Sequence, residues 1–443
     1  MTIDTVLYNC KLYFGGELIE AGIGIDGGKI VKIAKDLNLP NGSTRINLNG
    51  NIILPGLIDG HVHLRDQQLA YKETFKTGTA AAAAGGVTSV IDMPNNNPVT
   101  MDSFSLKQRM KLAENQLLVN VGFNSAFPKD INEIPKIVEM GGKGFKVYLA
   151  GKIGGVNVDD DQSLVNAFQV ASENSALILI HAEDREIIQT KKKEFEVSGQ
   201  SNLMSYVKSH SPLAEAKSIR RIVSIIKRFD ISVHFCHVSS RLGLDAILDA
   251  KKAGLPVTCE VTPHNLFLSD EQYAVFGSLA LTDPPLRQQK DVASLQTAVK
   301  HGLVDIIASD HAPHAFTEKK ADSIWQVPPG VPGLETTLLL LLNRINQGQL
   351  SFAELVRCTA QRPAVIFRLS NRGNIKEGNW ADLVVVDMKM KHKIDSSLFF
   401  SKAKYSPFDD LQVKGKPTKT FVNGILVMDD RQIVTKVHPG KLL

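Results

Sequence analysis

Short apolar runs rich in β-branched residues alternate with helix-like stretches along most of this chain, the rhythm of parallel βα units. The strand-like runs are "IILPGLIDGHVHL", "GVTSVIDMP", "LVNVGFNSA", "GFKVYL", "ALILIHAED", "ISVHFCHVSS", "PVTCEVTPH" and "VDIIASDHAPH". Between them, "KTGTAAAAAGG", "SLVNAFQVASEN" and "AEAKSIRRIVSIIKRF" read as helices. Eight strands with intervening helices over about 260 residues match the count and size of a (β/α)8 barrel, a TIM-like α/β fold. Both ends of the chain read differently. "VLYNCKLYFGGELIEAGIGIDGGKIVKIA" alternates apolar and polar positions between glycine turns, as do "GNWADLVVVDMKMKHKI" and "PTKTFVNGILVM", where "VNGI" is a hairpin signal. The pattern predicts a small β-sandwich built from residues 1–52 and 375–443, beside a barrel over residues 53–374.

Almost every barrel strand ends in a chemically capable residue: His61 and His63, Asn95, Lys146, His181, His237, then Asp310 and His314. Strand C-termini of a barrel open onto one face, so residues far apart in sequence converge on one cup. His61, His63 and Arg65 fall on alternate positions and share a strand face. Each element alone has a plain structural reading, such as a packed histidine or, for Asp310, a turn cap. Together, four histidines and an acid at one end of successive strands supply the nitrogen and oxygen ligands of zinc and its neighbours. In "VHFCHVSS" the two histidines point to opposite faces; His237, nearer the strand end, is the site candidate and His234 a packing residue.

Lys146 lies inside the apolar strand "GFKVYL", where an unpaired charge costs several kcal/mol. One reading has it snorkel to the barrel mouth. The other has a neutral amine condense with carbon dioxide into a carbamate, a carboxylate-like ligand able to bridge two metals. Lys143 is the weaker candidate for that role.

Composition narrows the field. With 443 residues, 43% of them hydrophobic, the chain can bury one large core and a second, smaller module. Its net charge of +5 is scattered, and no basic stripe interleaves with aromatics, which argues against nucleic acid as a partner. The four cysteines, Cys10, Cys236, Cys259 and Cys358, show no CxxC spacing and suggest reduced thiols in a cytoplasmic protein. No signal peptide is apparent, and no apolar run approaches a membrane span; "LETTLLLLLN" reads as a buried helix.

The motifs "DGHVHLR", "MPNNNP", "FKVYL", "IHAED", "CHVSS", "CEVTPHNLFL", "PPLR", "SDHAPH" and "PPGVPGLET" together resemble the dihydroorotases of the amidohydrolase superfamily, from about residue 50 to 370. The likeness is to the form with a carbamylated lysine. It implies two zinc ions per chain: one held by His61, His63, the Lys146 carbamate and Asp310, the other by that carbamate, His181 and His237. It also implies reversible conversion of N-carbamoyl-L-aspartate to dihydroorotate plus water, a step of pyrimidine synthesis. On that scheme Asp310 is both ligand and proton-transferring base. Arg65 would clamp the substrate carboxylate in a bidentate pair shared by Asn95 and His314, with the Pro329–Gly330 backbone meeting the ring amides. Allantoinase and hydantoinase use the same metal cup on substrates without that carboxylate. A non-catalytic barrel is the remaining rival, and such relatives lose ligands that are all present here. A homo-oligomer or a complex with another pyrimidine-pathway enzyme stays open.

Two departures stand out. Many relatives continue the first motif with Glu-Pro-Gly, where this chain has Asp66-Gln67-Gln68. Before "PPLR" relatives often carry an Asn or Arg that contacts substrate; here Asp283 introduces an acid that would repel a dicarboxylate.

Overall fold

The computed structural model describes residues 2–443. Eight parallel strands form the barrel: β1 (Leu57–Val62), β2 (Val87–Asp92), β3 (Asn120–Phe123), β4 (Phe145–Tyr148), β5 (Ile178–His181), β6 (Val233–Phe235), β7 (Val257–Val261) and β8 (Ile306–Ile307). Each pairs with the next, the step from β3 to β4 being made by its continuation Ser125–Ala126. The strands are buried on both faces, which is why they read as near-continuous apolar runs. Their outward side chains, among them Val121, Val147, Ile180 and Phe235, pack with Phe168, Ile219 and Ile247 of the helical layer. Ile58, Ile91, Leu179 and Ile306 form a separate cluster with Phe367, which fills the barrel interior.

The barrel closes where its last strand meets its first. His63 N donates to His311 O at 2.8 Å, and Val62 bridges His311 in parallel register. Asp59 in β1 accepts from Ser309 N at 3.1 Å, a partner 250 residues away, and from His61 N at 3.1 Å. Burial pushes the Asp59 carboxyl up to about 7, against the pull of its N–H donors.

Two sheets flank the barrel. Ile3–Tyr8, Gly22–Asp26, Lys29–Ala34 and Gly42–Asn47 make a four-stranded sheet. A seven-stranded sheet joins both chain ends, because Ile52–Pro55 lies between Lys11–Phe14 and the C-terminal strand Leu383–Lys393. That sheet's membership runs to Pro55, with Gly56 alone separating it from β1. Leu7, Ile23, Ile53, Leu383 and Phe421 share one core between the two sheets. The expected hairpin is present: Asn423 and Gly424, at φ 48° and 81°, turn Gln412–Val422 into Ile425–Asp429. The leucine run forms the buried helix Thr337–Asn346. Among the described residues no helix is long and apolar enough to cross a membrane, and all four cysteines are buried free thiols.

Candidate active site

A cavity of about 400 Å³ opens at the C-terminal ends of the barrel strands. His61, His63, His181, His237 and Asp310 line it, as do Arg65, Asn95, Pro329 and Gly330. Lys146 and His314 lie behind these, both buried. All eleven residues expected from sequence are therefore gathered at one mouth.

The hydrogen-bond partners fix which ring nitrogens are free. Nδ1 of His61 donates to the buried carboxylate of Glu260, which leaves the Nε2 lone pair facing the cavity. Nδ1 of His63 donates to Asn95 Oδ1 at 2.6 Å, again leaving Nε2. Both Nε2 atoms then crowd Asp310 Oδ1, at 3.3 and 3.1 Å. His181 Nε2 donates to Glu183 Oε2 at 3.2 Å, and its Nδ1 faces His237 Nε2 at 3.1 Å. Carboxylates stand behind His61 and His181 and the Asn95 amide oxygen behind His63, while His237 Nδ1 has no partner; ring nitrogens so oriented are suited to hold a cation. Burial, reinforced by Arg65, depresses His63 to about 4, so the ring is neutral and free to ligate. Burial alone would raise Asp310, but His61 and His63 outweigh it and hold the carboxyl well below the usual range. Lys146 Nζ is buried and has no nitrogen or oxygen partner; the Cys236 thiol lies beside it and the Tyr148 ring centroid is 5.1 Å away. A buried amine without a partner beside candidate metal ligands fits carbamate formation better than snorkelling to solvent.

A second group of donors sits beside this cup. Arg65 Nη2 and His314 Nε2 approach to 3.3 Å. Lys72 Nζ stands 3.0 Å from His314 Nδ1, so Nε2 carries the proton and reaches Pro329 O at 3.0 Å. Because Asn95 Oδ1 is taken by His63, its amide NH2 is the free end. The Arg65 guanidinium and the Asn95 amide NH2 therefore line one cavity, and the His314 N–H, shared with Pro329 O, lies beside the guanidinium. Arg65, Asp66 and Gln67 all have left-handed backbone, at φ 55°, 55° and 50°. Fully buried Arg109 holds this loop by donating to Arg65 O at 2.6 Å and pairing with Asp92 at 2.7 Å. Asp66 accepts from Phe75 N at 2.9 Å. Arg65 thus reaches the cavity from a strained loop that Arg109 and Asp66 tie down.

Asp283 is not the bare acid its sequence position suggests. Its Oδ1 lies 3.0 Å from Nδ1 of His210, whose ring stacks on Tyr206 at 4.2 Å. Burial alone would lower His210, but Glu183 and Asp283 together raise it to about 10. His210 thus offsets part of the charge it faces, while burial and Glu183 still raise the Asp283 carboxyl above its ordinary value.

A family model for the amidohydrolases matches residues 52–427. The chain belongs to the amidohydrolase family. As an amidohydrolase it is a hydrolase, with a cup of residues suited to metal. It is 36% identical to a dihydroorotase of Pyrococcus horikoshii, over 100% of this chain and 96% of that one. It is 34% identical to a dihydroorotase of Methanothermobacter thermautotrophicus, over 97% of this chain and 95% of that one. Among solved structures, an L-hydantoinase (dihydropyrimidinase) from Arthrobacter aurescens superposes with a TM-score of 0.95 at 29% identity, covering 100% of this chain and 99% of that one. The TIM barrel with its β-sandwich is the architecture of this amidohydrolase and its neighbours.

The residues behind the cup do not stand out in the strand pattern. Glu260 orients His61 and also pairs with His234 at 3.1 Å, so His234 is wired to the site and does more than pack. An acid inside the apolar run "VTCEV" was the available signal, of the same kind as Lys146. Glu183 follows His181 by two positions and carried a similar hint. Lys72 and His210 lie outside the strands, where spacing says nothing about what they touch.

Proposed function

We propose that this amidohydrolase is a dihydroorotase, interconverting N-carbamoyl-L-aspartate and (S)-dihydroorotate plus water in pyrimidine synthesis. The observation that carries the reading is the donor cluster of Arg65, His314 and Asn95 beside the histidine cup. A ring bearing a carboxylate satisfies those donors, whereas hydantoin, allantoin and dihydrouracil would leave the buried guanidinium with Pro313 O but no carboxylate partner. The two dihydroorotase relatives support the same choice.

In this reading His61, His63 and Asp310 would hold one zinc ion and His181 and His237 a second, with carbamylated Lys146 supplying a further ligand. Bound there, the ions would acidify a water and polarise the amide carbonyl. Glu260, Asn95 and Glu183 keep the ligating nitrogens unprotonated by accepting the opposite ring proton of His61, His63 and His181. Arg65, His314 and the Asn95 amide grip the carboxylate and fix the ring. In the hydrolytic direction the Asp310 carboxylate takes the proton of the attacking water as its oxygen bonds to the ring carbonyl carbon. The same carboxyl returns that proton to the ring nitrogen as the carbon–nitrogen bond breaks. Pro329 and Gly330 form the ring side of the cavity, where Pro329 O, already accepting from His314 Nε2, keeps a second lone pair for a ring N–H.

The near-identical fold of an L-hydantoinase favours a second reading, in which an uncharged ring is the substrate. A rate comparison separates the two. Dihydroorotate should exceed dihydrouracil, hydantoin and allantoin in kcat/KM by at least about 100-fold, and Arg65→Met should erase most of that lead while sparing metal content. Preference of the unmodified enzyme for an uncharged ring would overturn the dihydroorotase reading.

A further inference from the structure

Lys319 is fully buried, and no carboxylate touches its amine. Its neighbour Glu318 is engaged elsewhere, with Lys72 at 3.0 Å and Ala315 N at 2.9 Å. Instead the Lys319 ammonium donates to three backbone carbonyls: Leu281 O at 3.2 Å, Pro328 O at 3.0 Å and Gly330 O at 3.1 Å. An ammonium has three N–H donors and all three are used. Burying a charge on three carbonyl dipoles, with only the Tyr405 ring 5.8 Å away beside them, is costly, and burial pushes the amine down to about 7. A lysine kept on such terms needs a reason beyond filling space.

The three carbonyls belong to the segments that form the substrate side of the cavity. Leu281 lies two residues before Asp283, and Pro328 and Gly330 flank Pro329. Lys319 itself follows His314 by five residues, and its own carbonyl accepts from Ser278 Oγ at 2.6 Å. Gly330 N donates to Leu281 O at 2.8 Å, and Tyr405 OH donates to Gly330 O at 3.2 Å. Gly330 leaves no slack, because at φ 140° an added Cβ would come 2.4 Å from Ala312 O. The wall is thin backbone, and one side chain reaches all of its strands of chain at once.

We infer that Lys319 is a positioning residue: its ammonium fixes the Pro328–Gly330 wall against the Leu281 segment at the spacing the substrate ring requires. The inference rests on the reading of Pro329 and Gly330 as the ring side of the cavity. Methionine at 319 keeps the bulk and removes the donors; alanine leaves a space that methylammonium can occupy.

The test measures KM and kcat for Lys319→Met and Lys319→Ala on the best cyclic amide of the unmodified enzyme, with metal content and melting curves alongside. The expected result is a KM increase of at least tenfold with metal content retained, and recovery of several-fold in KM for Lys319→Ala on adding methylammonium at millimolar levels. Unchanged KM in both variants would overturn the inference, as would a KM defect that methylammonium does not move. Loss of cooperative melting in both variants would also overturn it, since the amine would then hold up the fold and not the wall. If the unmodified enzyme prefers an uncharged ring, the dihydroorotase reading fails alone and the same comparison decides Lys319 on that ring.

Discussion

The ammonium of Lys72 sits 3.0 Å from Nδ1 of His314 and can only donate there. The imidazole proton is therefore held on Nε2, the nitrogen that faces Arg65. Lys72 acts on the cavity through His314 without lining it.

Replacing Lys72 with methionine should free His314 to adopt the other tautomer and turn an acceptor toward the substrate carboxylate. The kcat/KM for dihydroorotate should fall about tenfold, or about 1.4 kcal/mol. Metal content should stay at its normal value, and any activity on dihydrouracil should change less. Equal losses on both rings would place the effect in folding or in the metal cup.

Purified protein should carry close to two zinc-type ions per chain in the proposed arrangement. His61→Ala and His181→Ala remove ligands from opposite halves of the cup, so each should lower the metal count and abolish turnover. Metal analysis paired with activity gives the answer. A metal-free protein with full activity would end the binuclear proposal.

Lys146→Ala should be inactive if the carbamate is a ligand. Short carboxylic acids such as acetate or propionate should restore part of the activity by supplying the missing carboxylate. An active alanine variant in the absence of such acids would show that the amine is dispensable.

His210 makes a prediction about pH. Folding raises its pKa from 6.5 to about 10 through Glu183 and Asp283, despite burial. The resulting stabilisation is complete below pH 6.5 and is lost as pH climbs toward 10. His210→Asn removes the cation and leaves two buried acids, at a cost on the order of 3–5 kcal/mol. Denaturant melts of both proteins should show this gap at pH 6.5 and see it shrink toward pH 10. A gap that is constant with pH would assign the loss to packing on Tyr206.

Much of the cup was legible because strand geometry leaves few choices. His61 and His63 on alternate positions had to be neighbours, and their ring centroids are 5.3 Å apart. His181, His237 and Asp310 follow apolar runs that could only be barrel strands, so the fold brought them to the same mouth. What could not be read was everything set by loops. Asp283 reads as an unpaired acid until the chain brings His210 to within 3.0 Å. Nothing in "LAYKETF" says that Lys72 meets His314, 242 residues on. Glu260 differs, since a carboxylate in an apolar strand announces a partner without saying which one.

The seam between β8 and β1 gives metal binding a second meaning. Asp310 comes from one side of that junction and His61 and His63 from the other, and the Asp59–Ser309 contact joins residues 250 positions apart. Uptake of an ion by these three residues therefore requires that the ends of the barrel have already met. An ion bound there stabilises only the closed ring, by RT ln(1 + [L]/Kd), and does nothing for a chain stalled one strand short. In the proposed arrangement, stripping the metal should therefore lower the stability of the closed barrel as well as the activity.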